Sequence, residues 1–483
     1  MEDVSLEVIK QKSIKGILAL TSRTFVLQVI AFGGTFLLTI FLSPAAFGVF
    51  YVVSAIIAFL NYFSDIGLAA ALIQKKEAVT DRDLMTTFTI QQGLVVVLVI
   101  LAFFLTSVIG KFYGLDGDGQ WLYRSLIVAF FLSSLKTIPS VILERKLDFQ
   151  KLVIPQIVET LGFYATAVVL AWQGLGTMSF AWAVLMRSVI GLVAIYIVSP
   201  WRPSLGIDRA SARKLLRFGL PFQANSLLAL VKDDLLTVML GKILTFTEVG
   251  YIGWAKKWAE VPLRLIMDSV IRVTFPTFSR LQHEVGVLGR AIEKTLFGLA
   301  ASIFPITAGL LFGIAPLVSI IPRYEKWEPA LLSFYLFAVA SAIASLSTPL
   351  TNALNAVGRI KITLILMVLW TSSTWILTML LVNMFGFNGV ALALLLITST
   401  LVLVVYLARS ICPFSFWHSV RFPILAVSVQ LLWYFGSLHI IPKNIVATVI
   451  VGIGGVILYV GVLWRFERVR ISSILEKFPL WRR

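Results

Sequence analysis

The chain has 483 residues, of which 59% are hydrophobic and 13% charged, with a formal net charge of +17. That much apolar surface exceeds what one water-soluble core of this length can hide, so the solvent is largely lipid and a soluble enzyme is excluded. The charge by itself would suit a nucleic-acid binder, so its distribution along the chain decides between the two readings.

Residues 1–16 form a lysine-bearing lead-in, read either as an amphipathic helix on the membrane surface or as a disordered tail. Apolar stretches then follow one another, each long enough for a crossing of about 20 helical residues and each closed by Gly, Pro or a charge cluster. Fourteen are expected, at 17–42, 48–73, 87–109, 122–142, 152–172, 178–198, 215–241, 249–276, 294–320, 328–352, 361–384, 388–408, 420–441 and 444–464. The first is too long for a signal peptide and lacks a small-x-small cleavage site. Strand-type alternation is missing, which argues against a barrel. The expected fold class is an all-α polytopic membrane protein.

The basic residues fall in every second loop. Segments such as 75–82 (Lys75, Lys76, Arg82), 145–151 (Arg145, Lys146, Lys151) and 202–217 (Arg202, Arg209, Arg213, Lys214, Arg217), with the termini, hold 27 of the 41. The alternate loops hold only Lys111, Arg124, Lys242, Arg323, Lys326 and Lys443. Basic loops stay on the cytoplasmic side, so both termini are expected there and nucleic acid is not needed to explain the charge. Cys412 is the single cysteine, and His283, His418 and His439 stand at unrelated spacings, so neither a disulfide nor a metal cluster is expected.

The basic, proline-bearing stretch from Ser199 to Arg217 reads as a linker. It divides the chain into an N-lobe at 17–198, a linker at 199–214, a C-lobe at 215–408, two further helices at 409–464 and a basic tail at 465–483. A faint repeat supports the division. "LSPAAFGVF" from Leu42 is matched by "LTFTEVGYI" from Leu244, offset by 202, and the glycines of Gly174-Leu175-Gly176 by those of Gly386-Phe387-Asn388-Gly389, offset by 212. Both pairs hold the same rank in a six-helix half, which implies two bundles related by a pseudo-twofold along the membrane normal. Such bundles rock about a central cleft.

Eight cations remain inside the expected helices: Arg23, Lys136, Arg187, Lys232, Lys256, Lys257, Arg264 and Arg272. Each would cost about 2.5–3.5 kcal/mol at mid-helix, so they are expected to line a hydrated cavity, with snorkelling to headgroups a competing reading for Lys136 and Arg272. In the eighth segment Lys257, Glu260, Arg264, Asp268 and Arg272 recur at helical spacing with alternating sign, a lining stripe or a self-neutralised ladder. Trp254 and Trp258 beside it are candidate sugar platforms or packing residues. The helix carboxylates counted are Asp65, Asp233, Asp234, Glu260 and Asp268, candidates for ion coupling or charge balance. Eight cations against five anions suit an anionic passenger such as a lipid pyrophosphate.

Four phrases, "LSPAAFGVF" from Leu42, "FSDIGLAAALIQKKEAVTDRDL" from Phe63, "ERKLDFQKL" from Glu144 and "LLRFGLPFQANSLL" from Leu215, resemble the Wzx-like oligosaccharide flippase branch of the multidrug/oligosaccharidyl-lipid/polysaccharide exporter superfamily. The resemblance covers about the first 290 residues, with "LNAVGRIK" from Leu354 beyond it. It implies a MATE/MurJ-like fold and a bacterial cytoplasmic-membrane transporter that moves an undecaprenyl-diphosphate-linked oligosaccharide outward by alternating access, driven by a proton or sodium gradient. It also implies that Arg23, Lys232, Lys256, Lys257 and Arg264 meet the diphosphate. Membrane lipids, a polysaccharide polymerase and chain-length machinery are the implied partners, and no cofactor is implied.

Competing readings are a flippase for the peptidoglycan precursor lipid II, a cation-coupled drug exporter, a passive channel, and a membrane polymerase or glycosyltransferase. The positive excess argues against the drug exporter. Short outer loops, in which Asp116 and Asp118 form no catalytic pair, argue against the enzyme.

Overall fold

The structure, a computed structural model, describes residues 6–437 and 444–475; the side chains of 6–23, 221, 222, 224–229, 268, 269, 272 and 471–475 lie outside the description. So do the expectations for residues 1–5, for His439 and Lys443, and for the tail from 476 onward. Among the described residues all regular structure is helical. Among these described residues, twelve helices are long and apolar enough to cross a membrane. The two expected segments outside that set, 215–241 and 249–276, are helical as well. They contain Lys232, Asp233 and Asp234, and Lys256 to Arg272, so their charge sets them apart.

The chain divides into two compact units, 1–250 and 251–483. The first contains α1 (Leu6–Phe41), α2 (Pro44–Asp65), α3 (Leu68–Gln74), α4 (Asp81–Phe104), α5 (Thr106–Tyr113), α6 (Gly117–Ser134), α7 (Thr137–Arg145), α8 (Phe149–Trp172), α9 (Met178–Val198), α10 (Arg209–Leu230), α11 (Leu236–Ile243) and the start of α12 (Phe246–Ala259). Side chains fix the ends of these helices. Asp116 accepts the Gly119 N–H at 2.7 Å to cap α6, and Thr80 and Asp83 cap α4 reciprocally, with Lys75 on Asp83 at 2.6 Å. The last carbonyls of α3 have no partners in their own helix. Arg145 donates to the carbonyls of Leu72, Ile73, Lys75 and Glu77 at 2.5–3.2 Å, so two of the phrases quoted above, 63–84 and 144–152, meet through one guanidinium.

The linker is strapped to α4: the Gly206 and Asp208 N–H groups donate to Thr89 Oγ1 and Thr86 Oγ1, both at 2.9 Å. Asp208 then accepts the Ser211 N–H at 2.8 Å, and hydrogen bonds from Ser211 hold its carboxyl below the usual carboxylate range. Beyond the linker, α10 packs on α3 and α4, and α11 packs on α2. Tyr62 Oη donates to the Gln223 carbonyl at 2.5 Å while Gln223 Nε2 donates to the Tyr62 carbonyl at 2.6 Å.

The two halves of the "LSPAAFGVF"/"LTFTEVGYI" repeat touch with exchanged partners. A Cβ on Gly48 would strike the Phe246 carbonyl, and one on Gly250 would strike the Pro44 carbonyl. Pro44 and Phe246, like Gly48 and Gly250, are 202 residues apart. Glycine is required at both, because the backbones approach closer than any side chain permits.

The second unit contains α13 (Val261–Arg280), α14 (Val285–Ile320), α15 (Leu331–Ala356), α16 (Ile360–Phe385), α17 (Asn388–Ile397), α18 (Leu401–Arg409), α19 (Phe416–Ser437) and α20 (Ile445–Leu475). Its core joins α13, α14, α15 and α18 through Phe278, Leu296, Ile303, Leu350 and Val404. Pro305 interrupts α14: with no N–H it leaves the Ala301 carbonyl without its helical donor. In lipid such a carbonyl must find another. Tyr459 Oη of α20 donates to it at 3.2 Å, and Gln430 Nε2 of α19 donates to the Pro305 carbonyl at 3.2 Å. Phe312 stacks on Tyr434 at 4.4 Å beside them. The last two helices therefore bring donors to α14 around Pro305.

Candidate functional site

The span Gly117–Arg145 is broken between α6 and α7, where Pro139 in the first turn of α7 has no N–H for the Leu135 carbonyl. Ser134 Oγ donates to the Phe131 carbonyl at 2.7 Å, a local alternative to the helical ladder, and Ser133 precedes it. The break is bracketed by polar groups from neighbouring helices. Tyr196 Oη of α9 donates to the Leu135 carbonyl at 3.2 Å, while Gln91 and Gln92 of α4 donate to Thr137 Oγ1 at 2.9 Å and Ser134 Oγ at 3.1 Å. Non-regular backbone at membrane depth persists only when its polar groups are satisfied in this way.

Lys136 sits at this break. Its Nζ lies 2.6 Å from Glu159 Oε2, and Arg187 Nη2 lies 3.9 Å from Glu159 Oε1. One carboxylate on α8 thus faces two cations, one from the α6–α7 break and one from α9. The sequence places it there: Glu159 shares the buried stripe of α8 with Leu152, Pro155, Phe163 and Ala167, opposite the exposed Ile154, Val158, Leu161 and Val169. On α9 the exposed apolar stripe runs through Trp182, Met186, Val189, Val193 and Ile197, and Arg187 stands one position off it, toward the buried Val184, Ser188 and Gly191. Gly191 makes the approach possible, because a Cβ there would strike Glu159 Oε2. The side chains are 20% exposed at Lys136, 12% at Glu159 and 51% at Arg187. The carboxylate and lysine are enclosed, whereas the arginine side chain is half exposed.

Glu159 lies inside the expected segment 152–172 but is missing from the count of five carboxylates given above. With it the balance becomes eight cations against six anions, still positive. It is the lone acidic residue of "LVIPQIVETLGFYATAVVLAW", a signal plain in the sequence; Tyr196, Gln91 and Gln92 carry no such signal.

The other candidates are placed as follows. Arg23 is on α1, with its side chain outside the described residues, as are those of Asp268 and Arg272 on α13. Lys232, Asp233 and Asp234 occupy a π-turn, Val231–Leu235, between α10 and α11, with Lys232 half-buried. Such turns concentrate at functional sites and widen the helix locally. Lys256 and Lys257 end α12, half-buried. Glu260 joins α12 to α13, where Pro262 has no N–H for the Trp258 carbonyl, and it pairs with Arg264 at 2.8 Å. Trp254 is buried, stacks on Trp327 at 5.3 Å and donates to Tyr324 Oη at 3.2 Å; its ring is occupied by packing and offers no platform to a sugar. Trp258 is buried too. Asp65 accepts the Ala69 N–H at 3.1 Å and so caps α3.

The whole architecture is that of known transporters. A structure of the lipid II flippase MurJ in an inward closed conformation matches with a TM-score of 0.74 and 15% identity, covering 95% of this chain and 100% of that one. An inward-facing multidrug resistance MATE family transporter of the MOP superfamily matches at 0.61 and 15% identity, covering 84% and 98%. At these identities the likeness is one of fold. The lipopolysaccharide biosynthesis protein WzxC of Escherichia coli K12 is 27% identical over 330 residues, 65% of this chain and 64% of that protein. The chain thus spans a little under two thirds of that relative's length. The polysaccharide biosynthesis protein family matches residues 37–332, which contain Lys136, Glu159 and Arg187, and the chain belongs to that family.

Proposed function

We propose that this chain is a flippase that carries an undecaprenyl-diphosphate-linked oligosaccharide, a capsule, exopolysaccharide or O-antigen-like repeat unit, across the bacterial cytoplasmic membrane by alternating access. Fourteen helices cross the bilayer, both termini face the cytoplasm, a proton or sodium gradient supplies the work, and the sugar undergoes no chemistry. Polymerase and chain-length machinery take up the product.

Arg187 carries the reading. A guanidinium midway along an intramembrane helix is expensive in lipid, and here it is half exposed while the nearest carboxylate is engaged more closely by Lys136. An arrangement with more cations than carboxylates suits a phosphate-bearing passenger, because guanidinium and ammonium groups replace its hydration. A drug exporter that gathers cations calls for the opposite balance. Family membership and the WzxC likeness support a glycan-pathway substrate.

The test is transport. Purified protein in proteoliposomes should move a short-chain diphosphate-linked glycan to the opposite leaflet, faster with an imposed ion gradient, and Arg187→Gln should slow it without lowering the protein yield. Rescue of cells depleted of their lipid II flippase would move the assignment to that precursor. Release of undecaprenyl diphosphate from a lipid-linked sugar would make the protein an enzyme.

A further inference from the structure

We infer that Glu159 is a built-in occupant of an anion subsite, holding with its carboxylate the place between Lys136 and Arg187 that a phosphate group of a lipid diphosphate takes. This rests on the flippase reading and adds a residue and a competition to it.

The geometry is that of a placeholder. Glu159 Oε2 meets Lys136 at a charge-assisted distance of 2.6 Å, but Oε1 stands 3.9 Å from Arg187, beyond a hydrogen bond, so the guanidinium is only loosely held. A tetrahedral phosphate carries three acceptor oxygens and up to two charges, and it satisfies both cations where one carboxylate satisfies one. Room for the exchange exists on the Arg187 side, where the side chain is 51% exposed, and Gly191 keeps the floor of the site free of a side chain. Few charged groups compete for the position. Among the described residues, α9 brings Arg187 toward Glu159, the α6–α7 break brings Lys136, Tyr164 of α8 lies within electrostatic reach of Arg187, and residues 24–41 of α1 contain no titratable group. Tyr196 is engaged with the Leu135 carbonyl. An empty site therefore stays neutralised in part, and an incoming phosphate displaces the carboxylate from Arg187 first and from Lys136 second.

Removing the placeholder's charge should tighten binding, an effect that damage to the fold cannot produce. The full chain in lipid nanodiscs is titrated calorimetrically with inorganic pyrophosphate. Glu159→Gln, which keeps an oxygen for Lys136, should bind roughly tenfold tighter than the parent, while Glu159→Asp stays near it and Lys136→Gln and Arg187→Gln bind more weakly. Unchanged or weaker binding by a folded Glu159→Gln overturns the inference. Should that variant fail to fold, the unaltered protein decides: pyrophosphate should protect Arg187 from phenylglyoxal, read by mass spectrometry, and failure to protect overturns it. Farnesyl diphosphate should compete at lower concentration than pyrophosphate; equal or weaker competition overturns the lipid-borne assignment. Tighter binding by Glu159→Gln, with polymer export in cells surviving deletion of the whole protein, upholds the subsite and removes the flippase reading. No gain in Glu159→Gln, with export lost on deletion of the protein, does the reverse.

Discussion

Two helix interruptions, one in each compact unit, show what separates a structural kink from a site. In α14, Pro305 frees the Ala301 carbonyl, and Tyr459, with Gln430 on the Pro305 carbonyl one turn on, closes the region with neutral groups. Between α6 and α7, Pro139 likewise frees the Leu135 carbonyl, and Tyr196, with serines, Gln91 and Gln92, closes the backbone, yet a lysine remains with a carboxylate and a half-exposed arginine beside it. Both breaks satisfy their backbone, as lipid demands. Only the second leaves charge over, and it is that excess, rather than the break, that supports the proposed ligand site.

The largest effect that would sharpen this contrast comes from the charged break. Glu159→Ala leaves Lys136 enclosed without a counter-charge and should cost about 3–5 kcal/mol, read as a large drop in unfolding temperature in detergent. The double variant Lys136→Leu with Glu159→Leu should recover most of that loss, because two apolar groups replace the pair, and it should bind no pyrophosphate better than the parent. A stability loss in the double variant as large as in Glu159→Ala would show that the pair anchors the fold, and the contrast with α14 would fail. A smaller effect is expected at Gln92: its replacement by Ala removes the bond to Ser134 and should cost about 1–3 kcal/mol through the buried hydroxyl left behind.

Much of this was legible in the sequence, and the illegible part has a common cause. Apolar stretches and the alternation of basic loops depend on neighbours in the chain, so the spans could be placed from the sequence, and a 202-residue offset pointed to Gly48 and Gly250 before their backbones were seen to touch. Lys136 and Arg187 stood out as charges in apolar surroundings, and Glu159 was as visible as either. What Trp254 does depends on Trp327, 73 residues on, and what Tyr196 does depends on Leu135; a residue whose role is set by one distant partner carries no local mark. Arg145 is the sharpest case. As a loop cation it counts toward the orientation expected from the sequence, but its fork also closes the C-terminal end of α3, which only the folded backbone brings within reach. The π-turn at Lys232 is equally silent, since no composition distinguishes it from an α-helix.

The smallest effects test the contrast most directly, because they ask whether each break can be repaired from within its own helix. Tyr459→Phe removes the donor to Ala301 and Tyr196→Phe the donor to Leu135, and each should cost about 1 kcal/mol, a shift of a few degrees in unfolding temperature. Pro305→Ala supplies the missing N–H, so in the Tyr459→Phe background it should restore stability to near the parent value by returning the i to i−4 bond. At the α6–α7 break Pro139→Ala is the comparable substitution and should likewise offset Tyr196→Phe at the Leu135 carbonyl, but it returns nothing to the bond between Ser134 and Gln92. Alanine at Ser134 in the Tyr196→Phe background should therefore add to the loss, because the hydroxyl that meets Gln92 goes with it. If it instead restored stability, the break would be a defect of local propensity, and Lys136 would owe its position to serine chemistry alone.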